Sequence, residues 1–190
     1  QLDFKLPTEG LALRFNFLHI LIFEKFILKL KNLEKRYSLK QIKNCENLFK
    51  KMNNRNINML KTSVMGGLPA AEKKYTIQEF KNMLAAYKDF NNEDLSNNLK
   101  EFLKEIIPVA EEKKVKMAIH PDDPPISLFG VPRVVSNLKD YKDILSSYNS
   151  EANGMTFCSG SLASNINNDV YKIFKTFKKK INFIHLRNVK

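Results

Sequence analysis

Three short apolar runs, VKMAI at 115–119, GMTF at 154–157 and INFI at 181–184, each lead directly into a ligand-type side chain: His120, Cys158 and His185. Runs this short between polar, Gly- and Pro-containing stretches read as buried strands. Between them the apolar spacing lengthens to a helical period over 137–147 and again over 167–178. The order strand, helix, strand, helix, strand implies a parallel sheet with right-handed crossovers. The three ligand-type residues lie 38 and 27 positions apart, about what one strand–loop–helix–loop circuit of a β/α barrel consumes. They would then share the carboxyl end of consecutive strands, where barrel active sites are built.

Two imidazoles and a thiol gathered there form a donor set for a divalent transition metal. His120 opens the loop HPDDPP, whose three prolines prevent helix and whose Asp122 and Asp123 can orient the imidazole or contact substrate hydroxyls. Cys158 is followed by Ser159, Gly160 and Ser161, small residues that permit close backbone approach and offer hydroxyls to a ligand. Arg187 stands two residues past His185 and so points to the same side, where metal and a substrate carboxylate would meet. Arg133, in FGVPRVV, is a second candidate anion clamp. His19 lies among large apolar residues and reads as a core or boundary residue, as does Cys45.

The N-terminal half has a different texture. QLDFKLPTEGLALRFNF alternates around a Pro-Thr-Glu-Gly turn and predicts a hairpin-like arm. Helical spacing follows over 18–35, then a helix from Ser38 to about Met52. NRNINMLKTSVMGGLPAAEKKY reads as loop, broken by Gly66, Gly67 and Pro69. Thr76 with Glu79 forms a capping box for a helix through Tyr87, and Asn92 is a candidate cap for a long helix over 93–113 with Pro108 as its kink or break.

At 190 residues the chain is short of the roughly 250 of a complete β/α barrel. It begins on Gln1 and ends at Lys190, five residues after His185, so the expectation is an internal piece of a larger enzyme. Residues 1–190 read as a single partial barrel domain: 1–92 an arm with a helical or lid region, 93–190 the βα units that carry the site. The net charge of +12 invites a nucleic-acid partner, but only five of the 32 basic residues are Arg and the Lys are dispersed. That favours solvated helix ends over a phosphate-reading surface. The most apolar stretch, 17–30, is interrupted by Glu24 and Lys25, which argues against a membrane span. Two cysteines 113 residues apart form no disulfide framework, and a reducing cytoplasm is the expected compartment.

The stretches MAIHPDDPP, FGVPRVVS, NGMTFCSGSLA and FIHLRN, in that order, resemble the signature segments of the mannonate dehydratases, and LDFKLPTEGLALRFNF resembles an earlier segment of the same family. The resemblance implies a xylose-isomerase-like (β/α)8 TIM barrel with a helical insertion in its first half. It implies dehydration of D-mannonate to 2-dehydro-3-deoxy-D-gluconate in glucuronate breakdown, with Mn2+ or Fe2+ as cofactor. His120, Cys158 and His185 match three of the family's metal ligands. An Asp fourth ligand and the acid/base residues belong to a later stretch, and Arg187, Arg133, Asp123 and Ser161 are the candidate substrate contacts. The stretch KTSVMGGLPAAEKKY departs from the family pattern. The alternatives are a sugar isomerase or epimerase of the same barrel type, or an inactive gene remnant. A small-molecule substrate, no nucleic acid, no membrane and a homo-oligomer of the complete protein complete the expectation.

Overall fold

The structure, a computed structural model, describes residues 4–5, 9–12, 15–65 and 75–189. It divides into two compact units, Gln1–Tyr87 and Lys88–Lys190. Gly66, Gly67 and Pro69, and Pro7 and Thr8 of the arm turn, lie outside the described residues.

In the first unit, β1 (Phe4–Lys5) and β2 (Leu11–Ala12) pair antiparallel, as the alternating arm predicts. The helical stretch that follows is interrupted. α1 (Phe17–Ile22) passes into a π-helical segment, Phe23–Leu28, and stops where Lys29 and Asn32 take positive φ of 58° and 57°. No Gly or Pro marks this break. It is held by tertiary contacts: Glu24, fully buried, pairs with Arg36 at 2.9 Å, and Phe17 packs edge-on against Tyr37. Burial, reinforced by the Glu24 carboxylate, pushes the Tyr37 phenol well up.

α2 (Leu39–Lys50) carries the Ser38 cap, closed reciprocally by Gln41. Residues 54–65, read from sequence as loop, form a helix, α3 (Asn54–Met65). Asn53 and Asn56 cap its start with two mutual backbone-to-side-chain bonds, and Ile57, Leu60 and Val64 fall on one face. The asparagines that resemble loop composition are here the capping residues. α4 (Ile77–Ala86) has the predicted Thr76–Glu79 capping box.

The second unit begins with α5 (Asn92–Glu112), capped by Asn91, one residue before the expected position, and continuous through Pro108. Strands β3 (Met117–Ile119), β4 (Asn153–Cys158) and β5 (Ile181–His185) form a parallel sheet in the order β3-β4-β5. Helices α6 (Leu138–Leu145) and α8 (Val170–Phe177) are the crossovers, and a short helix, α7 (Ser159–Ala163), follows β4 directly. The core gathers Leu103 and Ile107 of α5, Tyr141 and Ile144 of α6, Met155 and Phe157 of β4, Leu162 of α7 and Ile173 of α8. Every residue of β4 is buried, as a central parallel strand requires. This is an α/β arrangement with a small parallel sheet. No helix among the described residues is long and apolar enough to cross a membrane.

Candidate metal centre

The parallel order delivers the three ligand-type residues to one end of the sheet. His120 lies just past β3, Cys158 ends β4 and His185 ends β5, with Cys158 and His185 directly paired across the ladder. Ligand atoms of all three lie within 4.8 Å of one another. Cys158 Sγ is 3.6 Å from His185 Nδ1, and the two imidazole centroids are 5.8 Å apart. Neighbouring donors of a tetrahedral Cys/His site stand roughly 3.3–3.8 Å apart, from metal bonds of about 2.0–2.3 Å. The Cys158–His185 separation falls in that range, and one soft thiol with two imidazoles suits a divalent transition ion.

His120 is prepared for the task by its neighbour. Its Nδ1 lies 2.6 Å from the Pro121 carbonyl oxygen. A carbonyl has no proton to give, so Nδ1 donates and the lone pair is left on Nε2, the tautomer a ligand needs. His120 and His185 are exposed while Cys158 is fully buried, so the set opens to solvent on its imidazole side.

Arg187 joins the group from the end of β5. Its Nη1 donates to Asp123 Oδ2 and lies 3.3 Å from Ser161 Oγ and 3.9 Å from Cys158 Sγ. The bond to Asp123 holds the guanidinium above its ordinary value. Ser161, fully buried, also has its Oγ 3.2 Å from Cys158 Sγ. Three of the four predicted substrate contacts, Arg187, Asp123 and Ser161, therefore cluster beside the thiol.

Arg133 does not join them directly. Its Nε donates to the Ile126 carbonyl and its Nη1 is 3.9 Å from Asp122 Oδ1, so it braces the loop after His120. Asp122 is that loop's anchor. Its Oδ2 accepts from Val134 N, Val135 N and Ser136 Oγ at 3.0, 2.8 and 2.9 Å, and its own N–H donates to the Val135 carbonyl. Asp122→Ala leaves these donors without their charged acceptor and should destabilise the chain by about 2–3 kcal/mol. An unchanged urea midpoint would contradict that role.

Other supports lack a sequence signature. Tyr141, wholly buried on α6, donates to the Ile119 carbonyl one residue before His120, and burial pushes its phenol up. Thr156 donates to the Ala118 carbonyl on the same strand. Ser159, expected to face a ligand, instead bonds to the backbone of Arg187.

The family model D-mannonate dehydratase (UxuA) matches residues 3–190. The chain is 38% identical over its full length to a mannonate dehydratase of Saccharophagus degradans and 39% identical to mannonate dehydratase 2 of Agrobacterium fabrum. It covers 48% of each relative, so it spans about half the length of the curated relatives it matches. Residues over 52% of the chain are 53% identical to part of an Enterococcus faecalis mannonate dehydratase, 28% of whose length is covered. The crystal structure of mannonate dehydratase from Streptococcus suis serotype 2 superposes with a TM-score of 0.59 at 31% identity, covering 88% of this chain and 54% of that one.

Proposed function

Because the chain belongs to the D-mannonate dehydratase (UxuA) family, we propose that it carries the metal-holding face of an enzyme that converts D-mannonate to 2-dehydro-3-deoxy-D-gluconate and water. The observation that carries this reading is the convergence of His120, Cys158 and His185 within 4.8 Å at the carboxyl ends of three parallel strands. We propose further that these strands are part of a (β/α)8 barrel, that the ion is Mn2+ or Fe2+, and that the protein works in the cytoplasm on glucuronate-derived sugar acids.

The reaction removes a proton from the carbon next to a carboxylate and expels the hydroxyl on the following carbon. When bound by His120, Cys158 and His185, a divalent ion supplies Lewis acidity toward the oxygens that gain charge in that step. The chain's own residues contribute position and charge. Arg187 offers a guanidinium beside the ligand set, suited to a substrate carboxylate. Asp123 restrains that guanidinium, and Ser161 offers a hydroxyl to substrate or to Cys158. Arg133 and Asp122 hold the loop that presents His120 and Asp123. The acid/base pair is assigned to none of these residues.

The test is incubation of the protein in its natural length with D-mannonate and Mn2+, assayed for the 2-keto-3-deoxy acid. That product is expected. Its absence, or a ketose product of isomerisation instead, would overturn the reading.

A further inference from the structure

We propose that Ser159 is a positioning residue that sets the guanidinium of Arg187, and that position 160 is glycine because the same arginine packs against it. Ladder pairing between β4 and β5 ends at Cys158 and His185. Two residues on, the Arg187 backbone has no strand partner. Ser159 supplies one: its Oγ donates to the Arg187 carbonyl at 2.7 Å and accepts from the Arg187 N–H at 3.0 Å. One hydroxyl thus satisfies both backbone groups of a residue 28 positions away and extends the β4–β5 pairing past its end.

Gly160 completes the seat. A Cβ built there would lie 2.5 Å from Arg187 Cβ and 3.3 Å from its Nε, the first closer than real Cβ atoms approach. With its backbone fixed and its stem against Gly160, the arginine can send Nη1 only a short way, to Asp123 and Ser161 beside Cys158. Among the described residues Nε and Nη2 have no hydrogen-bond partner. That edge of the guanidinium is a two-pronged donor matched to a carboxylate. Ser159 acts through the Arg187 backbone and touches no substrate. It decides which edge of Arg187 is occupied and which is presented. That the presented edge takes a sugar-acid carboxylate rests on the function proposed above, whereas the seat itself does not.

Nitrogen-15 arginine labelling of the full chain reads the seat directly, because the sequence has only five arginines and Arg187→Lys assigns the signal. In the wild type the Arg187 guanidinium signal should show hindered rotation. Ser159→Ala should average it to that of a solvated arginine, Gly160→Ala should do the same by displacing the stem, and Ser159→Thr, which keeps the hydroxyl, should retain it. Co2+ affinity should stay within about threefold in Ser159→Ala, since no ligand is touched. A hindered Arg187 in both Ser159→Ala and Gly160→Ala, or an averaged one in the wild type, would overturn the proposal. If Ser159→Ala does not fold, the contrast between Ser159→Thr and Gly160→Ala decides in its place. A wild type that takes up Co2+ without a thiolate band would sink the metal-centre reading, while the arginine signal would still decide this one.

Discussion

Changing Cys158 to serine in the full chain should weaken Co2+ binding by about 100-fold or more, about 2.8 kcal/mol, and abolish the thiolate-to-cobalt charge-transfer band. The size follows from chemistry. The cluster would offer Co2+ a buried sulfur flanked by two imidazoles. A thiol loses its proton readily to a metal; a serine hydroxyl is far less acidic and is a harder, weaker donor for this class of ion. The substitution is nearly isosteric, and Ser161 Oγ at 3.2 Å can bond a hydroxyl as well as a thiol, so the fold should survive. Loss of binding with an unchanged melting curve therefore assigns the effect to the ligand atom. His185→Ala should also weaken binding, and a wild-type spectrum in Cys158→Ser would remove the thiol from the site.

The convergence of His120, Cys158 and His185 is legible in the chain because each follows an apolar run, and the helices between the runs imply parallel strands that end on one side. The loop after His120 is legible for a similar reason, its prolines excluding helix. The parts that escape are those decided by contacts distant in sequence. Residues 29–32 turn without Gly or Pro because the Glu24–Arg36 pair and the Phe17–Tyr37 contact fix the chain on either side. α3 is hidden because asparagine is as good a cap as it is a loop residue. Ser159 looks like a substrate hydroxyl until the end of β5 is seen lying against it. Local pattern gives the elements; which polar group is used on backbone and which is left for a ligand depends on packing.

The same dependence makes Gly154→Ala the most damaging single-methyl change expected in the sheet. Pairing of β4 with β5 slips by one residue, from Met155 opposite Ile181 to Thr156 opposite Phe183, leaving Asn182 as the extra residue of a bulge. The Asn182 amide crosses β4 to donate to the Met117 carbonyl of β3 at 2.7 Å, and also to the Glu151 carbonyl. It passes over Gly154: a Cβ there would lie 2.3 Å from Asn182 Nδ2 and 2.6 Å from the Lys180 carbonyl oxygen. That carbonyl accepts the Met155 N–H, so both the bulge and the ladder are struck at once. Overpacking of about 1–3 kcal/mol plus about 1 kcal/mol for the lost amide bond predicts a cost of about 2–4 kcal/mol in urea unfolding. The consequence reaches the site. Without the bulge the register of Met155 with Ile181 would carry on to set Ile184, not His185, opposite Cys158. Gly154→Ala should therefore also weaken Co2+ binding in whatever fraction stays folded. Asn182→Ala alone should cost only about 1–2 kcal/mol. Added to Gly154→Ala it removes the nearest clash, so the double variant should be more stable than the sum of the two costs predicts. Strict additivity would show that Gly154 and Asn182 act separately, and that the bulge holding His185 in register has another cause.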